Sequence, residues 1–256
     1  MIKVDCKGYA QKILDEVKAS KPKKQLWIIS MGDNPASKAY IKGKLKDCEY
    51  CGIKVEHLQP HSVHSLIQYI RSGNELPNVG GIIVQLPLPI TITEDCILQE
   101  ITPEKDVDGF GLNSPFKPCT PEGIVFVLKE ELGALEGKSA LIIGKGKLVG
   151  LPLAQMLLQE GCTITVAHSR TKNLDKLLSS GYDLIVSAVG KARLVDLKKC
   201  KADIVVDVGI NRDENGKLCG DCFNFVPDDG STMKVTTVPG GIGLLTRAIL
   251  MRHMKG

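Results

Sequence analysis

Apolar and polar positions alternate along this chain in two different rhythms. Short, nearly continuous apolar runs lie at 26–31, 54–58 and 81–86. Stretches with helical spacing follow each of them, at 35–51, near 65–71 and near 93–100. A strand–helix order of this kind predicts a parallel sheet with helices on both faces. The run Gly-Gly-Ile-Ile-Val-Gln-Leu at 80–86 is apolar almost throughout, as a strand buried on both faces should be. Asn34-Pro35 supplies an N-cap and a first-turn proline, and Gly52 a stop, so residues 35–51 are read as one helix.

A segment rich in Pro and Gly, 103–121, breaks the pattern and marks a domain boundary. Thr120 followed by Pro121 predicts an N-cap and a helix running to Leu132. The rhythm then resumes, with strands expected at Ala140–Ile143, Thr163–Ala167, Leu184–Ala188 and Ile204–Val208. Asn215-Gly216 is a hairpin signal between Ile210 and Cys222. The tail from Thr246 to Met254 has helical spacing and is predicted to fold back on the first domain. The fold class is therefore α/β in two domains.

Composition narrows the function. A chain of 256 residues, 43% hydrophobic and 24% charged, has enough apolar material for two modest cores. No run approaches the ~18 apolar residues of a membrane helix, and the first residues lack the apolar stretch of a secretory signal, so a cytoplasmic protein is expected. The net charge of +4 is dispersed and aromatics are only 4%, which argues against nucleic acid as a partner. Nine cysteines include two Cys-x-x-Cys pairs, Cys48/Cys51 and Cys219/Cys222. A zinc ribbon needs its pairs about 15–20 residues apart, so packing is the expected role and no metal is assigned.

Six features carry candidate chemistry. The predicted strand at 140–143 runs into Gly144-Lys145-Gly146 and Gly150, and a helix follows. Strand, glycine turn and helix N-terminus together are the phosphate-binding context of a Rossmann-like fold; a tight strand–helix turn is the alternative. The next strand ends in His168-Ser169-Arg170 rather than the acid that grips an NAD ribose, which favours NADP and leaves NAD possible. On the helix at 35–51, Tyr40 and Lys44 share a face. Gln85 lies at the carboxyl end of a buried strand, where open α/β sheets bind ligands. Asp108 either grips a donor-rich heterocycle or makes an Asx turn before Gly109. Pro239-Gly240-Gly241-Ile242-Gly243 is either a side-chain-free wall for a flat ligand or a flexible turn.

The segments DNPASKAYIKGK (33–44), VQLPLP (84–89), PEKDVDGF (103–110), PCTPEG (118–123), DVGINR (207–212) and VPGGIG (238–243) resemble the methylenetetrahydrofolate dehydrogenase/cyclohydrolase family, in order and spacing. The resemblance implies an N-terminal parallel α/β substrate domain, 1–117, completed by the C-terminal helix, 244–256. Between them it implies a Rossmann-like NAD(P) domain, 118–243. It further implies a homodimer acting on a tetrahydrofolate derivative with NADP, both as dehydrogenase and as cyclohydrolase; a dehydrogenase that has lost hydrolysis is the alternative.

Carried over residue by residue, the resemblance makes Lys44 the catalytic amine, hydrogen-bonded to Gln85, with Tyr40 stacking near the pterin and Asp108 holding its amino-pyrimidine edge. Val84 and Leu86 flank Gln85 along the substrate. Gly144, Lys145, Gly146, Ser169, Arg170 and Ile210 face the cofactor. Pro239, Gly240, Gly241 and Gly243 close over both ligands. The chain departs from the family pattern in three places: Lys145-Gly146 where Arg-Ser is usual, Cys222-Phe223-Asn224 after Gly220-Asp221, and Leu244 after the glycine segment where Pro is usual.

Overall fold

The computed structural model describes residues 1–89 and 92–255. In chain order its elements are β1 (Ile2–Lys3), α1 (Cys6–Ser20), β2 (Gln25–Ser30), α2 (Pro35–Cys51), β3 (Val55–Leu58), α3 (Val63–Glu75), β4 (Val79–Gln85) and α4 (Glu94–Leu98). They continue with α5 (Cys119–Leu132), β5 (Ser139–Ile143), α6 (Gly150–Gln159), β6 (Thr163–Ala167), α7 (Leu174–Leu178), β7 (Tyr182–Ser187), β8 (Val195–Asp196) and β9 (Ala202–Asp207). The chain ends with β10 (Asn211–Arg212), β11 (Leu218–Cys219), β12 (Cys222–Phe223), β13 (Lys234–Val235) and α8 (Ile242–His253). Two compact units result: Met1–Ala10 with Thr120–Thr246, and Gln11–Cys119 with Arg247–Gly256.

The second unit is built on a parallel sheet in the order β3-β2-β4. Trp27, Ile29, Leu66, Ile70, Val79, Ile82 and Val84 form its core. Gly73 of α3 lets helix and sheet approach closely, since a Cβ there would stand 2.8 Å from Ile82 and 2.9 Å from Trp27. Helix α2 has the bounds its sequence predicts. Asn34 Oδ1 accepts from the N–H groups of Ala36 and Ser37 at 2.9 and 3.3 Å, and Gly52 stops the helix in the left-handed region at φ 72°.

The tail folds onto this unit as expected. Arg247 of α8 reaches Asp47 of α2, Nε to Oδ2 2.9 Å. Gly43 makes room for it, because a Cβ there would overlap the guanidinium. Mid-helix glycine costs roughly 0.5–1 kcal/mol, so its presence is explained by that approach. Cys48 and Cys51 are buried on α2, Cys48 Sγ lying 3.5 Å from Met251 Sδ and Cys51 Sγ donating to Leu14 O. Burial pushes their thiols up, to about 12 and about 11.

The first unit holds a six-stranded parallel sheet in the order β1-β13-β9-β7-β5-β6. After the edge strand β1, the chain re-enters this sheet at β5, moves to β6 on one side and returns to β7 on the other, so the direction of winding reverses at β5. Leu141, Ile143, Ile185, Val195, Val205 and Val235 sit in its core. The Asn215-Gly216 signal is realised as the antiparallel pair β10–β11.

The structure differs from the sequence reading, or adds to it, at three places. By strand pairing the first ten residues group with the six-stranded unit, because β1 pairs with β13 at Ile2↔Lys234 and Lys3↔Val235. Helix α1 went unanticipated, although Cys6, Ala10, Ile13, Leu14 and Val17 bury one face at helical spacing. Thr120 is not an N-cap: α5 begins at Cys119, and the threonine hydroxyl bonds instead with Thr246 Oγ1 at 2.9 Å. Among the described residues no helix is long and apolar enough to cross a membrane.

The cap on α2 yields a direct test. Asn34→Ala should lower stability by about 1 kcal/mol, read as an earlier midpoint in urea unfolding followed by circular dichroism.

Candidate active site

Helix α2 brings Tyr40 and Lys44 to one side, one turn apart. Lys44 is 3% exposed, which is rare for a lysine and demands polar company. Its Nζ lies 4.0 Å from Asp108 Oδ2 and 5.7 Å from the centre of the Tyr40 ring. The amine therefore sits between a carboxylate and an aromatic face.

Asp108 is held by a loop whose organiser the sequence reading missed. Asp106, 2% exposed, accepts from Gly109 N at 3.2 Å and Gly111 N at 2.6 Å, and Ser114 Oγ donates to its backbone carbonyl. The Asx-type turn expected of Asp108 thus belongs to Asp106, which frees the Asp108 carboxylate to face Lys44. Burial pushes the Asp106 carboxyl above its ordinary range; the Gly111 N–H opposes this and the charge of Asp108 adds to it. Gly109 is required, with φ 74° and a hypothetical Cβ only 2.6 Å from the Lys117 carbonyl. Lys105 anchors the loop's start by donating to the carbonyls of Gly73, Asn74 and Leu76, all at 2.7 Å, at the end of α3.

Gln85 closes β4, paired in register with Ser30 of β2. It does not hydrogen-bond Lys44 here. Its Nε2 donates to Leu86 O at 2.8 Å, and its Oε1 is buried without a partner. Val84 is buried in the core and Leu86 is half-buried, so of the Val84–Leu86 stretch Gln85 alone lines a neighbouring cavity of about 370 Å³. Ser30, Ser37, Ile41 and His57 line it too. Ser30 Oγ and His57 Nε2 are 2.8 Å apart, and burial holds the imidazole below its usual range, hence neutral near pH 7.

In the six-stranded unit, a cavity of about 430 Å³ opens at the carboxyl ends of β5, β6 and β7, where the winding reverses. Gly144, Lys145, Gly146, His168 and Ser169 line it, together with Thr171, Lys191 and the apolar Leu174, Val189 and Leu194. Gly144 has φ 108°, and a Cβ there would meet Ala188 O at 2.4 Å. Gly146 faces open space, so the turn presents bare backbone. Such a cradle, ahead of the ten-residue helix α6, fits a pyrophosphate.

Not every expected contact joins it. Arg170 is exposed in the turn after β6, its N–H donating to His168 Nδ1, and does not line the cavity. Its backbone is committed to that turn and carries the side chain outward. Ile210, 55% exposed on the loop after β9, does not line it either. Pro239 and Gly240 are exposed beyond β13, and Gly241 is packed so tightly that a Cβ would stand 2.5 Å from Thr237 O. Gly243 belongs to α8.

Comparison with known proteins gives one family for both parts of the chain. The catalytic domain of tetrahydrofolate dehydrogenase/cyclohydrolase matches residues 4–108, and the NAD(P)-binding domain of the same family matches residues 118–255. The "Bifunctional protein FolD" of Campylobacter jejuni is 42% identical, over 99% of this chain and 96% of its own length. The crystal structure of the bifunctional FolD methylenetetrahydrofolate dehydrogenase/cyclohydrolase from that organism has a TM-score of 0.89 at 41% identity, covering 100% of this chain and 97% of its own. The Trypanosoma brucei methylenetetrahydrofolate dehydrogenase-cyclohydrolase, complexed with NADP cofactor and inhibitor, also scores 0.89, at 27% identity over 99% and 95% of the two chains.

The Asp106 turn sets an expectation for stability. Asp106→Ala leaves the Gly111 N–H without its acceptor, while Gly109 N keeps the Asp106 backbone carbonyl at 3.1 Å, so urea unfolding should show a loss of about 1–3 kcal/mol. Asp106→Asn keeps one acceptor oxygen and should lose distinctly less.

Proposed function

This chain belongs to the tetrahydrofolate dehydrogenase/cyclohydrolase family, and on that footing we propose that Lys44, Tyr40, Gln85 and Asp108 form the site at which it works on folate. The enzyme oxidises 5,10-methylenetetrahydrofolate to the 5,10-methenyl compound with NADP and hydrolyses that product to 10-formyltetrahydrofolate. The observation that supports these roles most is the enclosed amine of Lys44, set between a carboxylate and an aromatic ring.

Each residue has work its surroundings suit. Tyr40 offers a flat face to the substrate rings. Asp108, only 14% exposed, accepts from the donor-rich amino-pyrimidine edge. The unpartnered Gln85 Oε1 is a buried acceptor that a substrate N–H or the Lys44 ammonium can satisfy. Val84 and Leu86 set the backbone on either side of it.

NADP, when bound, accepts a hydride from the methylene carbon, leaving a methenyl cation on the folate. Gly144, Lys145 and Gly146 would hold its pyrophosphate, with Ser169 as a further contact and Lys145 and Ser169 nearest in kind to a 2′-phosphate; Arg170 and Ile210, which stand outside the cavity lining, are given no contact in it. Pro239, Gly240, Gly241 and Gly243 would offer the side-chain-free wall. The protein's part in this step is placement.

In the second step water adds to the methenyl carbon and gives up one proton, the hydroxyl so formed gives up the second as it becomes the formyl carbonyl, the bond from that carbon to the ring nitrogen breaks, and the nitrogen takes up one proton. One proton is released overall. Lys44 is the group that receives and returns protons on this path. The domain assignment follows: 1–117 with 244–256 for folate, 118–243 for the dinucleotide, with the first ten residues lending a strand to the latter. A cytoplasmic homodimer is the location and assembly the family resemblance implies.

Lys44→Met should slow methenyl hydrolysis by about 10²–10⁴-fold, the usual share of acid–base catalysis, as followed by loss of methenyl absorbance. A near wild-type rate removes Lys44 from the mechanism. Asp108→Ala should raise the KM for folate with NADP affinity unchanged. With each cofactor in turn, the wild type should prefer NADP, and Lys145→Gln should cut that preference by about tenfold, the worth of one charge-assisted contact.

A further inference from the structure

Behind the dinucleotide cavity lies a buried carboxylate that takes no part in the chemistry described so far. Asp221 is completely buried. Its Oδ2 accepts from Ser187 Oγ at 2.9 Å, Val189 N at 2.8 Å and Gly190 N at 3.2 Å. Its Oδ1 accepts from Lys191 N at 2.8 Å and Asn211 Nδ2 at 3.0 Å. Its backbone carbonyl accepts from Leu194 N at 2.8 Å.

Val189, Lys191 and Leu194 all line the cavity, so three of its wall residues are tied through their backbone to one side chain or its own carbonyl. Asn211 opens β10, which the same carboxylate therefore joins to the turn after β7. A second buried acid backs this arrangement. Asp207 Oδ1 accepts from Asp221 N at 2.9 Å and Gly209 N at 3.0 Å, and Oδ2 from Cys222 N at 2.9 Å. Two glycines make the fit possible, since a Cβ at Gly209 or Gly220 would overlap the carboxylates of Asp221 and Asp207 respectively.

We propose that Asp221 is a positioning residue for the dinucleotide: its carboxylate fixes the 189–191 turn so that Val189 and Lys191, beside Leu194 on the Asp221 backbone carbonyl, form one wall of the cofactor site. The proposal rests on reading this cavity as the NADP site. An isosteric amide at 221 offers one acceptor oxygen to donors that now share two, and turns an N–H₂ group toward backbone N–H groups. The turn then loses its geometry while the rest of the sheet keeps its core.

The test uses the full-length protein with Asp221→Asn. NADPH binding is measured by fluorescence titration, dehydrogenase KM for NADP by steady-state kinetics, and cyclohydrolase activity on the methenyl compound without added dinucleotide. The expected result is a rise of about tenfold or more in both the NADPH Kd and the KM for NADP, with cyclohydrolase activity within about twofold of wild type. A Kd within about twofold of wild type overturns the proposal, and so does a parallel fall of both activities with an unchanged Kd, which marks a merely structural residue. Should Asp221→Asn fail to fold, Ser187→Ala and Asn211→Ala each remove one donor to the same carboxylate and should each raise the Kd by about two- to fivefold; unchanged values sink the idea. Failure of the wild type itself to bind NADPH overturns the reading of the cavity instead, independently of any variant.

Discussion

Parallel strand pairing is the constraint from which the rest of this structure follows. When every strand in a sheet runs the same way, all carboxyl ends share one edge, and every loop leaving that edge is a neighbour of the others. In the three-stranded sheet this puts Ser30 and Gln85 level at one edge with His57 close by, and the loop after β4 leads on to the glycine-rich turn that carries Asp108. In the six-stranded sheet it gathers the turns after β5, β6 and β7 around one cavity. Neither site needs residues close in sequence, only strands laid in parallel.

The cost of this arrangement is that loops at a buried edge carry backbone groups that water cannot reach. Both units answer in the same way, with an aspartate placed inside the loop as acceptor. Asp106 takes the N–H groups of Gly109 and Gly111; Asp221 takes those of Val189, Gly190 and Lys191. Burial raises the Asp106 and Asp207 carboxyls, and the backbone donors oppose that rise. Each acid is thus costly alone and stable only where its donors converge, which makes the loop's shape and the acid's ionisation depend on one another. Glycine accompanies each: Gly109 for a left-handed turn, Gly209 and Gly220 for the absence of a Cβ.

How much of this could be read from the chain depended on whether the signal was local. Helix α2 has the expected bounds because Asn34 and Gly52 mark its two ends with their own chemistry. Helix α3 begins earlier than expected, at Val63, because its capping box uses two serines, Ser62 and Ser65, instead of the acid that usually advertises one. Strand β1 is too short to show a period, and its partner β13 lies at the other end of the chain, so pairing alone decides its place. Tyr40, Lys44 and Asp108 were legible because helical spacing and a specific motif converge on them. Asp106 and Asp221 were not, since their partners are backbone groups that only the fold assembles. Arg170 was assigned from its position after β6, but the turn there, held by His168 and Thr171, carries it outward.

That turn also explains how the site accommodates its departure from the family's phosphate loop. With Lys145-Gly146 in place of Arg-Ser, the loop keeps one charge and loses a planar fork and a hydroxyl. Gly146 faces open space, so the missing side chain leaves bare backbone rather than a filled gap. Across the cavity, Thr171 Oγ1 accepts from His168 N at 2.9 Å, which fixes the loop that presents Ser169 and the His168 ring. A hydroxyl absent from one turn is thereby supplied from the next strand's end, and Lys191 adds a second amine on the opposite wall, borne on backbone that Asp221 holds. On the proposed reading of this cavity, the groups offered to an anion come from three strand ends, so their relative placement matters more than any single cation.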